Sequence, residues 1–95
     1  MKSSSAPLDE YSEVAAKQLD ILEQGPDVGL YNEIIGVCGE IFDNPGHLRK
    51  FSTVIQTIEG PRFRTAVPGK DPYKIFWSKS AQGIVRIEAI FPFPT

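Results

Sequence analysis

The chain has 95 residues, 41% of them hydrophobic and 23% charged, with a formal net charge of −2, which excludes a disordered polyelectrolyte and leaves room for one compact domain with a modest core. A single cysteine, Cys38, excludes an internal disulfide and a thiolate metal cluster and fits a reducing compartment; no cofactor is implied. No run of residues approaches membrane-spanning length, and the first seven, MKSSSAP, lack the apolar stretch of a secretion signal, so residues 1–95 read as a single cytoplasmic domain.

Residues 1–6 are small and polar and are expected to fray. From Leu8 the apolar positions Leu8, Tyr11, Ala15, Leu19 and Leu22 advance at helical spacing, with Val14 and Ile21 widening the stripe, which predicts an amphipathic helix of about four turns. Its outer face holds Asp9, Glu13, Lys17, Asp20 and Glu23. Pro7 suits the first turn after Ser5, and Gly25-Pro26 stops the helix. Asp27 then caps a second helix in which Leu30, Tyr31, Ile34, Ile35, Cys38, Ile41 and Phe42 share one face. Gly29, Gly36 and Gly39 each cost about 1 kcal/mol relative to alanine in a helix interior, which predicts that the first helix approaches closely there. Asp43-Asn44-Pro45-Gly46 ends the helical region, so residues 8–43 read as an antiparallel hairpin.

After a basic stretch from His47 to Phe51 the apolar period changes to two. Thr53 to Ile58 is β-branched enough for a strand, and Glu59-Gly60-Pro61 turns the chain into Arg62 to Val67. A marked turn, Pro68 to Pro72, leads to Tyr73–Ser78, and Ser80-Ala81-Gln82-Gly83 joins this strand to Ile84–Phe91. The predicted fold class is α+β, with an N-terminal antiparallel helical hairpin packed on a three- or four-stranded antiparallel β-meander over residues 52–92.

The charges follow the same division. Residues 1–46 carry nine Asp/Glu against two Lys/Arg, and residues 47–95 carry eight Lys/Arg against three Asp/Glu. With helices on one face of the sheet, the other is free for binding, and strand alternation points Arg62, Arg64, Lys74 and Arg86 toward it. Arg49, Lys50 and Lys79 are expected near its rim. Val85, Ile87, Ala89 and Phe91 are expected to point the other way. Such a cluster suits a phosphodiester, whose charge bidentate arginines would stabilise as a neighbouring hydroxyl attacks phosphorus. The competing reading is a solvated face that is basic for solubility and edge protection.

Aromatic residues among cations are what single-stranded RNA recognition uses for base stacking, and Tyr73 and Phe76 are candidates. Trp77 is expected in the core. His47 reads as a surface residue, and Cys38, in the middle of an apolar stripe, as a buried thiol rather than a nucleophile. The helix carboxylates fall on polar faces and nominate no acid–base pair.

In order and length the elements resemble the RelE/ParE superfamily of bacterial toxins from toxin–antitoxin pairs. The residues that carry the resemblance are Gly60-Pro61-Arg62-Phe63-Arg64, Pro72-Tyr73-Lys74-Ile75-Phe76-Trp77 and the closing run Ile84 to Phe91. The resemblance implies a cognate antitoxin protein as partner and one of two activities, cleavage of messenger RNA on the ribosome or inhibition of DNA gyrase. For an endoribonuclease it implies Arg62, Arg64, Lys74 and Arg86 as catalytic residues, with Arg49, Lys50, Tyr73 and Lys79 contacting RNA. The chain departs from the family pattern at Pro92-Phe93-Pro94-Thr95, which offers no terminal His, Tyr or Arg, and in its sequence pI of about 5.3. A non-catalytic module whose basic face docks an acidic protein is a second reading. A third makes the acidic hairpin, with Glu13, Asp20 and Glu23, the binding surface.

Overall fold

A computed structural model describes residues 10–92. The elements run α1 (Glu13–Gln24), α2 (Val28–Asp43), α3 (Pro45–Arg49), β1 (Ser52–Thr57), β2 (Gly60–Ala66), β3 (Lys74–Lys79) and β4 (Val85–Phe91). The strands form one antiparallel sheet in the order β1-β2-β3-β4, as consecutive hairpins dictate. Helices precede a four-stranded meander, which is the α+β class expected from the change of period. Among the described residues no helix is long and apolar enough to cross a membrane.

The first helix starts later than its apolar spacing suggested. Ser12 caps it, accepting from the Ala15 N–H at 3.0 Å, and the same hydroxyl donates to the Glu88 carbonyl of β4. Tyr11 is not helical. It forms a parallel bridge with Ile87, in which Ser12 N–H donates to the Ile87 carbonyl and Ile87 N–H to the Glu10 carbonyl, both at 2.8 Å. Tertiary pairing with the edge of β4 thus overrides the helical period at Tyr11. Leu8, Pro7 and the Ser5 cap lie outside the described residues, as does Asp9.

Asp27 caps α2 as expected, its Oδ1 accepting from Leu30 N–H at 2.9 Å. Leu30, Ile34, Val37, Cys38 and Ile41 are buried, and Tyr31, Ile35 and Phe42 flank them. The glycines do not admit α1. A Cβ on Gly36 or Gly39 would meet nothing within 4 Å, so both face solvent and their conformational cost is offset by the buried stripe on the far side. Pro45 opens α3, a five-residue helix not expected from the sequence.

The core lies between the helices and one sheet face. Trp77, Ile75, Ile87 and Ile90 are fully buried there, with Phe63 and Val67 beside them. A relay of hydrogen bonds fastens α3 to the sheet: Trp77 Nε1 donates to Thr65 Oγ1 at 2.8 Å, Thr65 and Ser52 share a hydroxyl bond, and Ser52 Oγ donates to the Leu48 carbonyl at 2.7 Å. Since Ser52 commits its only proton to Leu48, Thr65 must donate to Ser52.

Burial pushes the Cys38 thiol from its ordinary value near 9 up to about 12, and burial, followed by the charges of Cys38, Glu10 and Tyr31, raises the Tyr11 hydroxyl to about 12. An acid with a raised folded pKa keeps its proton after the unfolded chain has lost it. The corresponding stability is intact below about pH 9 and falls as pH rises toward 12. The urea midpoint is therefore expected to hold from pH 7 to about 8.5 and to decline over about pH 9–11, less steeply in Cys38→Ala than in the wild type. A midpoint that stays flat to about pH 11 would contradict the buried, protonated thiol.

Candidate functional site on the open sheet face

Alternation along β2 and β3 buries Phe63, Thr65, Ile75 and Trp77 and turns Arg62, Arg64, Lys74, Phe76 and Ser78 away from the helices. The register sets Arg64 beside Phe76, and Phe76 beside Ala89; Lys74 lies beside Phe91, and Ser78 beside Arg86. All four cations expected on the open face are therefore there. They do not form one cluster, because Lys74 stands at the opposite end of β3 from Ser78 and its neighbour Arg86. Rows two residues apart on a strand are separated by about 7 Å, so Arg62 and Arg86 occupy one end of the face, Arg64 the middle and Lys74 the other end.

A β-bulge in β4 reshapes this face. Trp77 pairs with Ile87 and Phe76 with Ala89, leaving Glu88 as an extra residue. Beyond it the alternation is shifted by one, so Ile90 is buried against the helices and Phe91 joins the open face. The expectation that Ala89 and Phe91 point with Val85 and Ile87 is thus corrected, the cause being the inserted residue, which turns both onto the open face. Phe91 meets Phe76 edge to face, with ring centroids 5.1 Å apart. The aromatic pair of the open face is Phe76 with Phe91, bounded by Arg64 and Lys74.

The bulge also aims the Glu88 carboxylate at the open face, where Ser78 Oγ donates to Glu88 Oε2 at 2.7 Å. Both line a groove of about 510 Å³ between the tips of the two hairpins, with Arg62 and Glu59 on one wall and Arg86 and Lys79 on the other. Arg62 Nη2 donates to Glu59 Oε1 at 3.0 Å. The groove thus combines cations on both sides with a carboxylate and a hydroxyl at its centre. Sequence spacing put Glu88 on the same strand face as Arg86 but did not single it out. Its signal was the adjacent apolar pair Ala89-Ile90, which breaks strict alternation.

The remaining candidates lie elsewhere. Tyr73 packs against the core and lines a crevice with Leu22, Pro26 and Leu30 on the helix side, because it shares the face of Ile75 and Trp77. Arg49, in α3, holds its guanidinium 5.4 Å from the Phe63 ring centroid, which also places it on the helix side. Lys50 is exposed beside it, away from the groove. His47 is exposed and meets Phe51 edge to face at 5.0 Å. Of the four expected contacts outside the cation set, only Lys79 lines the groove. Among the described residues no group of three or more His, Cys, Asp or Glu side chains is placed to hold a metal ion. The terminal residues 93–95 lie outside the described region.

Comparison with family models, with curated proteins and with solved structures gives no match.

Proposed function

We propose that the chain is a toxin of the RelE/ParE kind, paired with a cognate antitoxin, that engages messenger RNA at the ribosome through its open sheet face. The observation that carries this reading is the continuity of two features on one surface: the Phe76 and Phe91 rings, between Arg64 and Lys74, lead into the groove that holds Arg62, Arg86, Ser78 and Glu88. Exposed aromatic faces stack bases without regard to sequence, and flanking cations neutralise the phosphates between them.

In the groove, Glu88 is the proton acceptor for a ribose 2′-hydroxyl, positioned by its bond from Ser78. The 2′-oxygen attacks the adjacent phosphorus, the bond to the 5′-oxygen breaks, and that oxygen takes a proton from water, leaving a 2′,3′-cyclic phosphate. Arg62 and Arg86 stabilise the charge that accumulates on the phosphoryl oxygens. The fold can exist without this reaction, and one observation favours a second reading, a protein-docking module: Glu59 already engages Arg62, and Glu88 adds a second negative charge to the groove.

Induced expression in a bacterial host, with growth followed and messenger RNA ends mapped in the same cultures, separates these readings. Growth arrest with new cleavage ends is the expected result. Arrest with intact messages would move the target to gyrase or another protein, and unimpaired growth would leave the docking module.

A further inference from the structure

We propose that β1 is the seam of a homodimer, in which two copies of this chain pair their β1 strands antiparallel about a two-fold axis. The inference rests on the chemistry of the sheet edge and is independent of what the open face binds.

The sheet has two edges and the chain treats them differently. At β4 the middle of the outer side is taken: Ile87 N–H and carbonyl by Glu10 and Ser12, the Glu88 carbonyl by the Ser12 hydroxyl, and Ile90 N–H by Gln18 Oε1 at 2.7 Å. At β1, among the described residues, nothing pairs with the outer side. Edge strands that must stay single are blunted by a charge, a proline or a bulge. The sequence of β1, STVIQT, has none of these and pairs with β2 in unbroken register. No residue of β1 is fully buried. Val54 is 47% exposed, and Phe51 and Ile58, at either end of the strand, are exposed at 69% and 105%.

The flanking charges favour a second copy over another strand. Lys50, exposed, precedes the strand, and Glu59, exposed, follows it. A two-fold partner runs in the opposite direction, so the basic start of one β1 meets the second copy's Glu59, and the same contact forms again at the other end. Arg62 occupies only one Glu59 carboxylate oxygen, leaving the other for this contact. A uniformly acidic partner strand would be repelled at one end and a uniformly basic one at the other. With Val54 on the axis, the centre of the seam carries no charge.

Sedimentation equilibrium over a concentration series tests this. The wild type is expected to approach twice its chain mass of 10.5 kDa at high concentration. Val54→Lys, which opposes two ammonium groups across the axis, is expected to weaken association by about tenfold or more, with an unchanged far-UV circular dichroism spectrum showing that the fold persists. Glu59→Lys should also weaken the dimer, and combining it with Lys50→Glu should restore it. A wild type that stays monomeric at every concentration overturns the proposal. So does a dimer indifferent to Val54→Lys, a charge reversal that does not rescue, or a β1 that pairs only with a foreign strand.

Discussion

Replacing Trp77 with alanine is expected to cost about 3–5 kcal/mol of folding stability, the usual range for deleting a large aromatic side chain from a core. The side chain is completely buried, its ring lies 4.5 Å from that of Phe63 between centroids, and it fills the space between β2, β4 and the helices. The substitution opens a cavity and also removes the donor at the head of the relay, so Thr65 Oγ1 loses its buried partner and the seating of α3 loosens. A domain of this length has about 5–15 kcal/mol in total, so the variant should be marginal at 37 °C. Urea unfolding followed by far-UV circular dichroism measures the loss. Trp77→Phe should fall between wild type and alanine, since it restores most of the volume but not the hydrogen bond. A Trp77→Ala loss below about 1 kcal/mol would contradict the relay and the packing together.

Removing Arg62 and Arg64 together is expected to abolish growth inhibition while leaving the fold intact. Both side chains point away from the core, and the Glu59 contact that Arg62 loses is an exposed ion pair worth about 0–1 kcal/mol. Each phosphate contact to a single strand contributes about 0.7 to the slope of log affinity against log salt, so the double alanine variant should flatten that slope by about 1.4. Fluorescence anisotropy of a labelled single-stranded RNA across a salt series reads this directly. The affinity should fall at low salt and converge with wild type as salt screens the remaining contacts. Toxicity that survives the double substitution, or an unchanged salt slope, would remove the basic face from the mechanism.

Much of this architecture is legible in the sequence, and its misses have physical causes. The stripe of α2, the change of period after Phe51 and the alternation around Arg62, Arg64 and Lys74 are local signals that tertiary structure preserves. Trp77 lies in the core for the reason its spacing gave. What was not legible depends on pairing between distant segments. Tyr11 continues the period of α1, yet the edge of β4 draws it into a bridge. Asn44-Pro45 reads equally as a turn or as the start of a helix, and only the Ser52 bond to the Leu48 carbonyl shows what holds five residues in helical form. Tyr73 and Arg49 have the right chemistry for RNA but lie toward the helix side. The position of Phe91 followed from counting β4 as an unbroken strand. One extra residue reversed that count and disclosed both the aromatic pair and Glu88.

That extra residue also separates what the groove needs from what the sheet needs. Glu88 stands outside the pairing ladder: the partners of β3 step from Ile87 to Ala89 without it, and its side chain reaches neither the core nor a neighbouring strand pair except through Ser78. Most positions on a four-stranded sheet answer to two masters, since a change in what they bind also changes how the strands fit. At the bulge these demands are separated. The acidity and polarity of the groove therefore rest on a side chain that takes no share of the strand pairing, so the fold leaves position 88 to be set by what the groove binds.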